Sequence, residues 1–236
     1  MMHIDKVPNS IALIPDGNRR WAKKNSFSLF AGYGQGIKKF IDFSNWCVEY
    51  GVKNVVVWGF STENFNRPKA ETKALFKLYT HAAADKKILA MLEKNKTRCR
   101  IIGDKSKLPK ELKALLNTME KRTAMYKDRV MTILLGYGGR EDLMHAAKRY
   151  AKSVLNAGKL IKIDEKSFAH YLRSFAVPDI DFVIRTSNEE RVSGLLPWQI
   201  SYSELYFSNK LWPDFTKKDL EKALKAYSER HRRFGK

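Results

Sequence analysis

Of 236 residues only two are cysteine, Cys47 and Cys99. They have no metal-ligand spacing. One falls in a helical pattern and the other in a strand-like one, so both are expected as buried free thiols. No apolar run approaches the ~18 residues of a membrane span. Met1–Asn9 lacks the charged start and apolar middle of a signal peptide. These absences lead to the expectation of a reducing, cytoplasmic setting. Acidic residues are also scarce, 25 against 45 lysines and arginines, for a formal net charge of +20. An excess of this size calls for anionic partners such as nucleic acid, anionic lipid or phosphorylated molecules. Most of the lysines are scattered as on a solvated surface. There are no paired Cys/His fingers and no aromatic ribonucleoprotein stretch, so no nucleic-acid partner is expected.

What is present is an alternation. Apolar, β-branched runs at Ile11–Ile14, Asn54–Phe60, Arg98–Ile102, Val130–Leu135 and Phe182–Arg185 read as strands. Helical periodicity fills Gly34–Tyr50, Ala70–Asn95, Pro109–Lys127, Glu141–Leu155 and Lys217–Arg233. Strands that alternate with helices predict an α/β fold. Near-continuous apolar strands mean burial on both faces, as in a parallel sheet. With no repeat or linker in the chain, the expected architecture is one domain over 1–236. It has a central, mostly parallel sheet of about six strands flanked by helices.

In such sheets ligands bind beyond the carboxyl ends of the strands. Polar clusters follow four strand candidates: Asp16-Gly17-Asn18-Arg19-Arg20-Trp21, Ser61 to Arg67, Gly136 to Arg140, and Arg185 to Arg191. Each carries arginine, and three carry a carboxylate as well. Gly17 lets backbone approach a ligand closely, and a helix start beside Arg19 and Arg20 suits an anion. Asp16 in that position calls for a cation alongside the anion. Mg²⁺ bridging carboxylate and phosphate oxygens fits, although Asp16 or Asn18 as a simple helix cap is the plainer alternative. Arg185, Arg191 and Ser193 form a second candidate anion site, or else surface arginines on a loop. Ala74, Leu75, Leu78, Tyr79 and Ala82 share one helix face. Core packing is the far commoner reason for such a face and a ligand wall the other, and composition does not separate them.

Taken in order, Ile14-Pro15-Asp16-Gly17-Asn18-Arg19-Arg20-Trp21-Ala22, Phe60 to Pro68, Ile184 to Glu189, Leu196 to Phe207, Leu211-Trp212-Pro213-Asp214-Phe215 and the terminal Arg233-Phe234-Gly235 resemble the motifs of cis-prenyltransferases, the undecaprenyl diphosphate synthase family. The resemblance spans almost the whole chain, and the DDxxD motif of the unrelated trans-prenyl synthases is absent. It implies a Mg²⁺-dependent prenyltransferase with an apolar tunnel beside the sheet, joining an allylic diphosphate to isopentenyl diphosphate to give a cis-polyprenyl diphosphate of short or medium length. Asp16 would bind Mg²⁺ and help the diphosphate leave. Gly17, Asn18, Arg19, Arg20, Trp21, Tyr33 and Arg67 would form the donor site. Ser61 and Asn64 would orient the reacting centre. Arg185, Arg191 and Ser193 would hold isopentenyl diphosphate, with Glu204 as second metal partner. Arg233 and Gly235 would reach across a homodimer. Peripheral contact with an anionic membrane is a further expectation.

The chain departs from that pattern at several positions. Leu29 stands where the family usually has arginine, and Tyr33 where it has histidine; both usual residues contact the donor diphosphate. Gly136 replaces an asparagine, Asn188 a glycine and Ser10 a histidine. The alternatives to elongation are therefore same-fold chemistries: irregular head-to-middle coupling, or prenyl transfer to a hydroxyl acceptor. A non-catalytic subunit of a heteromeric enzyme is a further one.

Overall fold

The computed structural model describes residues 4–230. Six parallel strands form one sheet in the order β3-β4-β2-β1-β5-β6: β1 Ser10–Ile14, β2 Asn54–Ser61, β3 Thr97–Ile102, β4 Arg129–Tyr137, β5 Phe182–Arg185 and β6 Glu204–Phe207. The helices are α1 Asn18–Lys24, α2 Leu29–Glu49, α3 Lys69–Ala84, α4 Lys86–Lys94, α5 Lys110–Thr123, α6 Gly139–Ala157, α7 Glu165–Ala169 and α8 Lys217–Ser228.

Side-chain alternation along the strands feeds two layers. Ile11, Leu13, Val55, Val57, Phe182 and Ile184 pack with Phe43 and Cys47 of α2 and with Leu220 and Leu224 of α8. Ala12, Ile14, Val56 and Val183 face the other way, toward Val177, Ile180, Leu195 and Leu196. A third cluster joins Cys99, Ile101, Met131 and Leu135 to Leu75, Leu92, Leu112, Leu116 and Met119 of α3, α4 and α5.

Two elements differ most from the sequence expectation. The single helix expected over Ala70–Asn95 is two helices. The chain leaves helical geometry at Asp85 (φ −70°, ψ 112°), whose carboxylate caps α4 by accepting from the Lys87 N–H at 2.8 Å. Apolar periodicity runs through the break because both helices bury the same side. The sixth strand, Glu204–Phe207, went unassigned because its residues are only half-buried and it lies at the sheet edge. Edge strands of that kind give a weak apolar signal.

Two departures in sequence have conformational reasons. Gly136 sits at φ +64°, and a Cβ there would lie 2.9 Å from the Asp104 carbonyl oxygen. Asn188 holds φ +54°, a left-handed conformation that asparagine tolerates better than most residues.

Candidate active site

The carboxyl ends of β1, β2, β4 and β5 open onto one cavity of about 1050 Å³. Its mouth is polar, lined by six arginines (Arg19, Arg20, Arg67, Arg140, Arg185 and Arg191) against three carboxylates, Asp16, Glu63 and Glu189. Its far side is apolar, formed by Ile37 and Phe40 of α2, Leu75 and Leu78 of α3, Met91 of α4, Met119 of α5 and Ile133 of β4. Leu75, Leu78, Tyr79 and Ala82 of the shared helix face line it, whereas Ala74 does not. That face therefore serves both readings, since Leu75 and Leu78 are buried and border the cavity at once.

Asp16 is held from several sides. Its backbone carbonyl accepts from the Thr186 hydroxyl at 2.7 Å and the Trp212 N–H at 2.9 Å. Its carboxylate accepts from the Gly17 N–H at 2.7 Å and from Nη2 of Arg185 at 2.8 Å. Gly17 has φ +104°, and an added Cβ would come within 2.9 Å of the Ser187 hydroxyl oxygen. Only glycine meets both demands.

Arg185 is not a surface arginine. Its side chain is 5% exposed. Besides Asp16, it donates from Nη1 to the Arg191 carbonyl at 2.6 Å and to the Ser193 hydroxyl at 2.8 Å. Its buried Nε has no hydrogen-bond partner among the described residues. One guanidinium thus fixes the Asp16 loop and the Arg191–Ser193 loop relative to each other, as its rigid fork allows. Arg20 reaches Glu189 at 2.9 Å and the Ser187 carbonyl at 3.1 Å, and Glu189 also pairs with Arg191.

Across the mouth, Ser61 and Asn64 pair reciprocally. The Ser61 N–H donates to Asn64 Oδ1 at 3.0 Å and the Asn64 N–H to the Ser61 hydroxyl at 3.3 Å. Arg67 donates to the Tyr33 hydroxyl at 2.6 Å and to Glu71 at 3.0 Å, while Tyr33 donates to the same Glu71 oxygen at 3.2 Å. Arg19 lies 3.9 Å from that oxygen. Burial pushes the Tyr33 phenol above its ordinary value, with Arg67 pulling the other way. Tyr33 therefore remains a neutral donor through physiological pH.

The fold gathers Asp16, Gly17, Asn18, Arg19, Arg20, Tyr33, Ser61, Asn64, Arg67, Arg185, Arg191 and Ser193 around this one cavity. Trp21 lies just outside, its indole N–H donating to Asp214 at 2.7 Å. Arg233 and Gly235 fall outside the described residues. Glu204 is not among the lining residues. It pairs in register with Phe182, whereas Arg185 pairs with Phe207, so it sits three residues toward the amino end of the sheet. That is roughly 10 Å from the level of the mouth, and its carboxylate takes Nη1 of Arg230 at 3.0 Å. The motif order gave no sign of this, because strand register is not written in a short edge strand.

Three charged residues that the motif reading did not assign to the site line it, and a fourth, Glu71, braces it. Glu63, Arg140 and Glu189 are detectable as charged residues directly after strands. Glu71 looks in sequence like an ordinary first-turn acid of α3, and only the fold brings it against Arg67 and Tyr33.

No group of three or more His, Cys, Asp or Glu that could hold a metal ion occurs among the described residues. The donor set still suits Mg²⁺, which typically takes one or two carboxylates and completes its shell with phosphate oxygens and water. Asp16 is the carboxylate that would hold it, at a mouth lined by six arginines.

A parallel α/β sheet with an arginine-ringed mouth over an apolar cavity defines a site for an anionic head on a hydrocarbon tail. The relatives agree. A family model described as "Putative undecaprenyl diphosphate synthase" matches residues 14–235. The isoprenyl transferase of Thermotoga maritima is 40% identical over 230 residues, covering 98% of this chain and 97% of that protein. The tritrans,polycis-undecaprenyl-diphosphate synthase (geranylgeranyl-diphosphate specific) of Picrophilus torridus is also 40% identical, over 97% of this chain and 90% of its own. Among solved structures, lavandulyl diphosphate synthase from Lavandula x intermedia, in complex with dimethylallyl diphosphate, superposes with a TM-score of 0.92 at 31% identity, over 98% of this chain and 99% of that one. The chain belongs to the undecaprenyl diphosphate synthase family of cis-prenyltransferases.

Proposed function

We propose that this chain is a Mg²⁺-dependent enzyme that condenses an allylic isoprenoid diphosphate with isopentenyl diphosphate and keeps the growing cis-polyprenyl chain in its apolar cavity. The observation that carries the reading is the continuity of one cavity from an arginine mouth to an apolar end, bordered by α2, α3, α4, α5 and β4.

In this reading Arg19, Arg20 and Arg67 receive the donor diphosphate, with the Gly17 and Asn18 backbone beside it. Tyr33 and Glu71 hold Arg67 in place. Arg191 and Ser193, held by Arg185, receive the acceptor, and Ser61 and Asn64 form the wall between the two sides. Asp16 would hold the Mg²⁺, which when bound would supply charge neutralisation for the leaving diphosphate. The allylic C–O bond breaks and the acceptor alkene's electrons form the new C–C bond. Loss of a proton then leaves a cis double bond. Charge builds on the departing diphosphate, so cations fixed beforehand by Asp16, Glu71 and Glu189 contribute most where they need not reorganise. Product length is that of a short or medium chain in this reading. The enzyme works as a homodimer beside an anionic membrane, with Arg233 and Gly235 reaching the partner's site.

A second reading is head-to-middle coupling of two isoprenoid diphosphates. It is favoured by Tyr33 at the donor side in place of the usual histidine, by the loss of the usual arginine at Leu29, and by the similarity to a lavandulyl diphosphate synthase. One assay decides between the two. Purified protein and Mg²⁺ receive labelled isopentenyl diphosphate with dimethylallyl, geranyl, farnesyl or geranylgeranyl diphosphate in turn. A linear cis-extended product supports elongation and gives its length. A branched product, or turnover of dimethylallyl diphosphate alone, supports coupling. No diphosphate binding and no turnover defeats both.

A further inference from the structure

The corner between α1 and α2 exposes three large apolar side chains within four positions: Phe27 at 54%, and Leu29 and Phe30 at 41% each. The other exposed large apolar residues among those described, Met125, Met144, Leu155, Leu160, Phe175 and Tyr202, come singly along the chain. Single exposed apolar residues are ordinary, whereas clustered ones mark a contact surface. The corner is also built to present them. Ser26 adopts φ +56° at the end of α1 and reverses the chain. Phe27 then stacks on Trp21, with ring centroids 5.4 Å apart and planes at 17°. Trp21 is in turn tied to Asp214 through its indole N–H. The cluster therefore stands on an ordered base.

Its surroundings are cationic. From Gly17 to Ile41 the chain has no Asp or Glu, and it carries Arg19, Arg20, Lys23, Lys24, Lys38 and Lys39. Lys23, Lys24 and Lys38 are exposed. Apolar side chains flanked by cations and an indole are the features of a segment that lies in the headgroup boundary of an anionic bilayer. A second copy of this chain is a poor occupant, because it would set Lys23, Lys24 and Lys38, which have no carboxylate partner among the described residues, face to face; Arg19, Arg20 and Lys39 already meet Glu71, Glu189 and Asp42. The location also matters: α1 and α2 supply Asn18, Arg19, Arg20 and Tyr33 to the cavity mouth.

We propose that the α1–α2 corner is the surface by which this chain docks on anionic phospholipid, with Phe27, Leu29 and Phe30 entering the boundary region and Lys23 and Lys24 against the phosphates. The surface is read from its own chemistry. It rests on the proposed function only for its purpose, which is to hold the mouth beside the membrane that receives an apolar product.

The test is sedimentation of the full chain, without substrate, with vesicles of phosphatidylcholine alone and of phosphatidylcholine mixed with phosphatidylglycerol. The expected result is partition into the anionic vesicles about tenfold or more above the neutral ones. Phe27→Ser with Phe30→Ser, which leaves the charge unchanged, is expected to lower that partition by about tenfold. Lys23→Gln with Lys24→Gln is expected to lower it while leaving weak binding to neutral vesicles unchanged. Equal partition into both vesicle types, or serine variants that bind as well as the parent, would overturn the proposal. A mass in analytical ultracentrifugation that falls on serine substitution would overturn it in favour of a protein contact. Inorganic diphosphate binding, measured in parallel by calorimetry, is expected to be the same in parent and variants. Its absence in all of them would count against the proposed function and leave the docking result standing.

Discussion

Arg185 and Arg67 stand on opposite sides of the same mouth, each against a carboxylate, and they are not equivalent. Arg185 is 5% exposed and holds two loops at once through Asp16, Ser193 and the Arg191 carbonyl. Arg67 is 27% exposed and meets Glu71 one helical turn away, with Tyr33 between them. The first is a structural joint whose charge cannot leave its partners. The second is an accessible cation tempered by a neighbouring anion. Cationic residues in one pocket thus divide between fixing the site and meeting the ligand, and burial is what separates them.

The largest effect is expected at Asp16. Asp16→Ala should lower kcat by about 10²–10³-fold or more, by analogy with removal of a preorganised electrostatic partner. Arg185 keeps its bonds to Ser193 and the Arg191 carbonyl, so far-UV circular dichroism should be unchanged. A near-normal rate would remove Asp16 from the mechanism. Arg185→Lys comes next. Lysine keeps the charge but cannot serve Asp16, Ser193 and a carbonyl in one plane. We expect kcat to fall by about tenfold or more with loss of one to two charge-assisted hydrogen bonds, and the melting temperature to drop as well. If only the acceptor KM rises, Arg185 is a ligand contact and not a joint.

Glu71→Gln should act more mildly and in the opposite sense. It leaves an acceptor for Arg67 and Tyr33 but removes a charge from the mouth. The Arg67–Glu71 pair is 27% and 8% exposed, so water screens it only in part, and the donor KM should fall by roughly two- to fivefold, about 0.4–1 kcal/mol. An unchanged or raised KM would show that Glu71 does not temper Arg67. The smallest effect is expected away from the mouth. Burial pushes the thiols of both Cys47 and Cys99 up, Cys99 to about 12. Both are fully enclosed in the sheet layers. At pH 8 neither should react with iodoacetamide in the native protein, and both should react in denaturant. Native labelling would show a layer that opens.

The alternation of β-branched runs with amphipathic stretches was enough to specify parallel strands between helices, because burial on both faces leaves a continuous apolar signature in each strand. It was also enough to locate the mouth. Loops after parallel strands must converge at one end of the sheet, so Asp16, Ser61, Asn64, Arg67, Arg185, Arg191 and Ser193 are legible as one group in the sequence. Glu204 is not, since only the register of a four-residue edge strand puts it three residues below the level of Arg185. The break at Asp85 escaped notice because an apolar face can continue across a change of helix axis.

What the sequence determined by itself was chemistry tied to short range: which residue types follow which strand, where glycine is required, and how much positive charge the chain carries. Tertiary structure alone decided which charges are buried and which accessible. It also brought Glu71 to Arg67 and Tyr33, and left a cavity behind a helix face that core packing would otherwise explain. The physical reason is that periodicity records which side of an element avoids water. Whether that side meets another side chain or an open volume depends on how several elements pack together, and no single stretch of chain holds that information.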